Sequence, residues 1–283
     1  MPFIKLNEAG FFYILHRHSA ANKSPSVILI HGAGGNHLSM LPIFGYIKKK
    51  YGGFFDVLVF DLPFHFRSAE AGARGTAQNF TAPGNKGIDF YAEAVNALIL
   101  KLLGKDRPII LIGHSMGAQI CIKYSSLFPG RVKKAMLIAG CHNVAISDAF
   151  IKSLESSFER TIGIFLKDAL AARDKNILDE ALADIKRTPA ETVINDFKYV
   201  KYFSGHYNAD IRRVNGSKIF FDLIYSKKDL IIRGGCVMEL HKKLANSEIN
   251  EIPSKNHIDF LYENYYMEKE IDKFLLTQAR LKL

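Results

Sequence analysis

The sequence predicts an α/β fold built on a doubly wound, mostly parallel sheet, and three observations carry that prediction. Short apolar, β-rich runs alternate with longer amphipathic segments through most of the chain. The middle runs are apolar throughout, as strands covered on both faces are. The alternation is interrupted once, by a long stretch with helical patterns and no strand between them.

A chain of 283 residues can bury roughly 75% of its unfolded surface. With 48% hydrophobic and 23% charged residues and no repeat at a fixed period, it has the composition of a folded globular protein. The runs that read as strands are "FFYILHRH", "SVILIH", "FDVLVFD", "PIILIG", "KAMLIAG", "IFFDLIYS" and "SEINEIP". The first strands, near the N-terminus and separated by short turns, suit an antiparallel hairpin at the sheet edge. Helical patterns cover Ser39 to Lys50, Ile88 to Leu103, Ser115 to Phe128, Gly235 to Leu244 and His257 to Leu276.

The break follows "KAMLIAG" and runs from about Ser147 to Tyr207. Leu178, Ala181, Leu182 and Ile185 share one helix face, and Thr188 to Glu191, "TPAE", reads as a capping box with Pro189 at the first helical position. An insertion between two sheet strands lies over the C-terminal edge of the sheet, where ligands bind in open α/β folds. The expected division is therefore a core domain of residues 1–143 and 208–283 and a helical cap, 144–207, inserted after the sixth strand.

Chemistry concentrates at "GHSMG", Gly113 to Gly117. Its serine follows a strand and precedes a helix, a turn so sharp that its neighbours must be glycine. A serine hydroxyl needs an imidazole to take its proton, and the imidazole needs a carboxylate to hold its tautomer. Downstream, Asp229 follows "IFFDLIYS" and His257 follows "SEINEIP", both where a strand's C-terminal end meets a loop. Asp222 lies inside its strand and Asp259 follows the histidine too closely. His16 and His18 sit on an edge strand, His142 and His206 bound the insertion, and His241 is mid-helix. Ser115, Asp229 and His257 are the candidate nucleophile, acid and base. An oxyanion needs backbone donors: Met116, at the start of a helix, and Ala33, in "HGAGGNH", where Gly32, Gly34 and Gly35 let the backbone approach a substrate. Asn36, His37 and His114 are further candidates for substrate contact, together with Gly32 and Gly34. Asp61 and His65 read as structuring residues of their loop.

These features resemble the α/β-hydrolase superfamily, specifically its capped serine hydrolases, over nearly the whole chain. The motifs are "ILIHGAGG", "VFDLPFHFRS", "GHSMGA", "YSKKD" and "SKNHIDFLYE". The resemblance implies a mostly parallel eight-stranded sheet flanked by helices. It also implies a Ser115–His257–Asp229 triad with an oxyanion hole at Ala33 and Met116. Departures are Phe64 and Phe66 where the usual loop has glycines, Asn256 where glycine precedes the histidine, and Ala118 after the elbow. Serine at the nucleophile position disfavours the dehalogenase and epoxide hydrolase branches, which use aspartate. The implied activity is cleavage of small to medium carboxylic esters. Lactonase or carbon–carbon hydrolase chemistry on the same triad, or a non-catalytic ligand receptor, are the alternatives.

Other classes fit less well. The net charge of +10 comes from dispersed pairs with acidic residues nearby, without a nucleic-acid-binding motif, so no nucleic-acid partner is expected. A dinucleotide fingerprint starting at Gly32 meets His37 at its third glycine. His16-Arg17-His18 lacks further ligands, so neither metal nor cofactor is expected. No segment reaches the ~18 apolar residues of a membrane span, and the N-terminus lacks a signal-peptide pattern. Cys121, Cys141 and Cys236 are widely spaced in apolar or small-residue contexts and read as reduced thiols of a cytoplasmic protein. The insertion's Phe158, Phe165, Phe197, Tyr202, Phe203 and Tyr207 read mainly as its own core, with one or two facing the site.

Overall fold

The computed structural model describes residues 2–6, 9–18, 24–71, 87–170, 175–253, 256–262 and 264–276. Its eight strands are β1 (Phe3–Leu6), β2 (Ala9–His16), β3 (Ser26–Ile30), β4 (Asp56–Phe60), β5 (Ile109–His114), β6 (Val132–Ile138), β7 (Phe220–Tyr225) and β8 (Ser247–Glu251). The helices are α1 (His37–Tyr51), α2 (Phe66–Ala71), α3 (Gly87–Leu103), α4 (Met116–Leu127), α5 (Asp148–Ser156) and α6 (Phe158–Leu170), followed by α7 (Lys175–Ile185), α8 (Ala190–His206), α9 (Asn208–Asn215), α10 (Gly234–Lys243), α11 (Asp259–Tyr262) and α12 (Asn264–Leu276).

One sheet runs in the order β1-β2-β4-β3-β5-β6-β7-β8. The β1–β2 and β2–β4 pairs are antiparallel and all others parallel. The fold is thus the doubly wound, mostly parallel one expected, with the hairpin at its edge. Side chains alternate between its faces, as the two-residue period of a strand requires. Val27 and Leu29 of β3 join Val57, Val59, Ile110 and Ile112 under α1 and α12. Ile28 and Ile30 join Leu58, Phe60 and Leu111 under α3 and α4. Both faces are covered, which is why the middle strands read as unbroken apolar runs.

Strand β3 lies between β4 and β5, so the chain leaves it in one direction and returns across it in the other. The crevice at such a switch point is where open α/β sheets bind ligands. The "HGAGG" loop and Ser115 emerge side by side there, with Ile30 registered against Gly113.

Helices α5 to α9 occupy the interval between β6 and β7, and α5 to α8 have their own apolar cluster, centred on Leu154, Ile162, Leu166, Ile185, Val193 and Phe197. Ala33 and Ile258, from the sheet's loops, pack against that cluster. Leu178, Ala181 and Leu182 face it too, as their spacing requires, and so do Phe158 and Phe165. Phe203 and Tyr207 instead join the main core, and Tyr202 stacks on His206 at 3.9 Å.

Three expectations are corrected. The capping box is displaced: Pro189, with ψ 136°, is the cap itself and α8 begins at Ala190. Thr188 is wound into the end of α7 through its N–H to the Ile185 carbonyl, and its hydroxyl has no partner among the described residues. The helical stretch expected from His257 begins instead at Asp259, with α11, because the Asn256 side chain caps the N–H groups of Ile258 and Asp259; Ser254, Lys255 and Glu263 of that motif lie outside the described residues. Finally, Cys141 and Cys236 form a disulfide, Cα to Cα 6.0 Å, leaving Cys121 as the buried free thiol. Adjacent ends of parallel β6 and β7 bring this pair together despite a separation of 95 positions in the chain, and the reduced-thiol argument for a cytoplasmic location does not hold for it. No helix among the described residues is long and apolar enough to cross a membrane.

Candidate active site

Ser115 sits between β5 and α4 with φ 54° and ψ −117°, a left-handed backbone that a serine adopts only under constraint. Its neighbours make that turn feasible. A Cβ on Gly113 would stand 2.3 Å from the Gly117 carbonyl oxygen, and one on Gly117 would stand 2.3 Å from the Ile30 oxygen. On the far side, a Cβ on Gly32 would come within 3.1 Å of the Ser115 Cβ. The serine is therefore pressed between glycines of two loops.

His257 Nε2 lies 2.9 Å from Ser115 Oγ, and His257 Nδ1 lies 2.8 Å from Asp229 Oδ2. The carboxylate can only accept, so the ring proton belongs on Nδ1 and Nε2 is left to accept from the serine hydroxyl. Such a line can move a proton from Oγ onto the imidazole. Both partners are almost wholly buried. Asp229 is steadied within its own turn, its Oδ1 accepting the N–H groups of Ile231 and Ile232 at 2.8 Å each. His257 is steadied by Asn256, whose Oδ1 accepts the N–H groups of Ile258 and Asp259 at 3.0 and 2.9 Å. The Asn256 amide also donates to the Leu170 carbonyl at the end of α6.

The glycine-rich loop is braced from behind. His31 Nε2 accepts the Leu62 N–H at 3.0 Å, which forces its proton onto Nδ1. That Nδ1–H and the Gly35 N–H both donate to the Gly32 carbonyl, at 2.9 and 3.1 Å. In a trans peptide C=O and N–H point in opposite directions, so pinning the Gly32 oxygen aims the Ala33 N–H away from that brace. Burial, followed by the charge of nearby His65, holds the His31 pKa well below its usual value, so it remains neutral.

The remaining candidates are occupied otherwise. His114 is buried and donates Nε2–H to the His257 carbonyl at 3.0 Å, so it supports the histidine turn instead of reaching a substrate. Burial and the neighbouring His257 push its pKa down to about 3. His37 is held by Asp61, whose Oδ1 accepts from its N–H at 2.6 Å and from its Nδ1 at 2.7 Å. Asn36 caps α1 through the Leu38 N–H at 2.9 Å, and its amide faces Asp184. Both are buried, with their side chains engaged by these partners. Gly34 turns at φ 64° and gives its N–H to Asp196 of α8. Asp222 lies within β7, bonded to Asn250 at 2.7 Å, where burial raises its pKa to about 6.

In the "DLPFHFRS" loop, Phe64 and Phe66 keep the positive φ that glycine would take freely, 67° and 35°. That conformation costs roughly 1–2 kcal/mol per residue. Stacking offsets part of the cost: Phe64 on Phe90 at 6.2 Å, and Phe66 on His37 at 5.9 Å with the Arg187 guanidinium 5.3 Å away.

Sequence reasoning missed Asp196, the tautomer-fixing role of Leu62 on His31, and the capping role of Asn256. An acidic residue between Val193, Phe197 and Val200 on an apolar helix face was the available signal for the first. One group of three potential metal ligands lies together among the described residues, Cys141, His142 and Cys236. Since the two sulfurs are bonded to each other, His142 is the single donor left.

A serine at the strand-to-helix turn of a sheet with this order, facing a histidine and a carboxylate from later loops, defines the hydrolase class of doubly wound folds. A family model described as the alpha/beta hydrolase fold matches residues 25–227, and the chain belongs to that family. It is similar to a protein of Mycoplasma genitalium named putative esterase/lipase 2, 26% identical over 238 residues, 83% of this chain and 75% of that protein. It is also similar to the (E)-2-((N-methylformamido)methylene)succinate hydrolase of Acinetobacter baylyi, 29% identical over 41% of this chain and 38% of that one. Among solved structures, one from a study of carboxylesterases of Nitrososphaera gargenis superposes with a TM-score of 0.78 at 18% identity, over 99% of this chain and 100% of that chain. The enol-lactonase of Burkholderia xenovorans gives 0.71 at 16% identity, over 97% and 100%.

Proposed function

We propose that the protein is a serine hydrolase of small to medium carboxylic esters, with Ser115 as nucleophile, His257 as general base and Asp229 as the acid that orients it. The hydrogen-bond line from Ser115 Oγ through His257 to Asp229, 2.9 and 2.8 Å, carries this reading. His257 takes the serine proton as Oγ attacks the carbonyl carbon, and the displaced electron pair comes to rest on the carbonyl oxygen. The amides of Ala33 and Met116 receive that oxyanion, and Gly32 and Gly34 let the loop backbone approach the substrate. The imidazolium then protonates the departing alkoxide, and water activated by the same histidine releases the acid from the acyl-enzyme. Residues 144–207 act as the cap, with Ala33 and Ile258 packed against their apolar cluster. The name of the Mycoplasma genitalium relative supports an ester as substrate.

Replacing Ser115→Ala should lower turnover of a p-nitrophenyl ester by at least about 10³-fold without changing the circular dichroism spectrum. Unchanged turnover in a pure preparation overturns the assignment. A wild-type preference for lactones or vinylogous diketones over esters would move it to another bond on the same triad.

A further inference from the structure

Asp196 is a fully buried carboxylate two turns into α8, and no lysine or arginine pairs with it among the described residues. Three donors from three distant segments converge on it instead. The Gly34 N–H and His65 Nε2 meet Oδ2, and the Tyr91 hydroxyl meets Oδ1, each at 2.8 Å. His65 also faces the Pro63 carbonyl with Nδ1 at 3.0 Å. With acceptors on both sides, both of its nitrogens carry protons, and it is the cation that balances Asp196. Burial alone would pull the His65 pKa down, and the Asp196 charge and hydrogen bond more than reverse this, leaving it raised.

The cation stands 4.9 Å, ring to ring, from His31, the neutral residue whose Nδ1–H pins the Gly32 carbonyl. Asp196 thus reaches the glycine-rich loop twice: directly at Gly34, and through His65 beside His31 and Gly32. Its helix belongs to the inserted segment, while Gly34 and His65 belong to loops of the sheet and Tyr91 to α3, which packs on the sheet.

We propose that Asp196 is a positioning residue of the oxyanion hole, holding the Gly32–Gly35 turn so that the Ala33 N–H aims at the developing charge only while α8 is docked. This rests on the reading of Ser115 as nucleophile. It adds that the insertion takes part in transition-state stabilisation besides covering the site.

The test uses the full-length protein with Asp196→Asn, which keeps the shape and removes the charge. For p-nitrophenyl butyrate, kcat should fall about 10–10²-fold with KM within about twofold of wild type. Affinity for a trifluoromethyl ketone, whose hemiketal oxyanion occupies the same hole, should fall by the same factor. Tyr91→Phe removes one donor and keeps the other two, so it should lower kcat and ketone affinity together by a smaller factor, and it decides the matter if Asp196→Asn does not fold. Variants that melt at lower temperature yet keep wild-type kcat and ketone affinity overturn the proposal and leave Asp196 a structural residue. A wild-type protein that neither cleaves the ester nor binds the ketone overturns the assignment of Ser115 instead, and this inference with it.

Discussion

The two halves of the site are held by different means. Ser115, Asp229 and His257 are held mainly within their own turns, through adjacent glycines, the N–H groups of Ile231 and Ile232, and the side chain of Asn256, with His114 and Leu170 as outside supports of the histidine turn. The glycine-rich loop is held from afar, by Leu62 through His31 and by Asp196, 162 positions away from Gly34. In the proposed mechanism, proton transfer thus rests mainly on local chain geometry, whereas charge stabilisation rests on how separate parts of the molecule dock.

The largest effect that probes this contrast is at Asp229. In Asp229→Asn the amide keeps an acceptor for Ile231 and Ile232 but can present an N–H to His257, shifting the ring proton to Nε2 where it no longer accepts from Ser115. Turnover should fall about 10³–10⁴-fold, with little change in melting temperature. A loss of only a few-fold would mean that the locally held half does not act as one unit.

Proton linkage separates the halves next. His65 has a raised pKa, so its contribution to stability is complete below the usual histidine value of 6.5 and fades as pH rises through its folded value. His31, His114 and His142 have lowered values, the last two about 3 and about 4. They are buried neutral, so stability falls as pH drops below 6.5 and the unfolded chain takes up protons that the folded one does not. Asp222, raised to about 6, opposes this between pH 6 and 4, one group against three. Melting temperature should therefore peak near pH 6.5, falling on the acid side and as pH rises above 6.5. His65→Gln should flatten the alkaline arm alone, and an unchanged arm would place the raised group elsewhere.

The same contrast explains what could be read from the sequence. Seven of the eight strands and the helical stretch between β6 and β7 were legible because strand and helix periods alternate in the chain, whereas β1 is too short to show a period and the count of eight came from the resemblance. Ser115, Asp229 and His257 were legible because each lies in a short segment bounded by its own strand. Asp196 was not, because its partners Gly34, His65 and Tyr91 come from other segments. Asn36 and His37 looked like site residues because they follow the glycines, but only the packed structure turns them toward Leu38 and Asp61. The disulfide was hidden for the same reason, since nothing near Cys141 in the chain announces Cys236.

The smallest effect concerns the cap on the histidine turn. Asn256→Ala removes the acceptor of two N–H groups and the donor to Leu170. It should cost about 1–2 kcal/mol in urea denaturation, and a larger loss would show that the turn leans on α6 more than on itself.

The bond between Cys141 and Cys236 also sorts the chain topologically. It makes residues 141–236 a covalent circle that contains the inserted helices, Asp196 and Asp229, with Ser115 on one tail and His257 on the other. One cleavage within the circle still leaves a single covalent body, while one cleavage on either tail yields two. The proposed base and the acid that orients it therefore lie on opposite sides of that division, joined across it by a hydrogen bond.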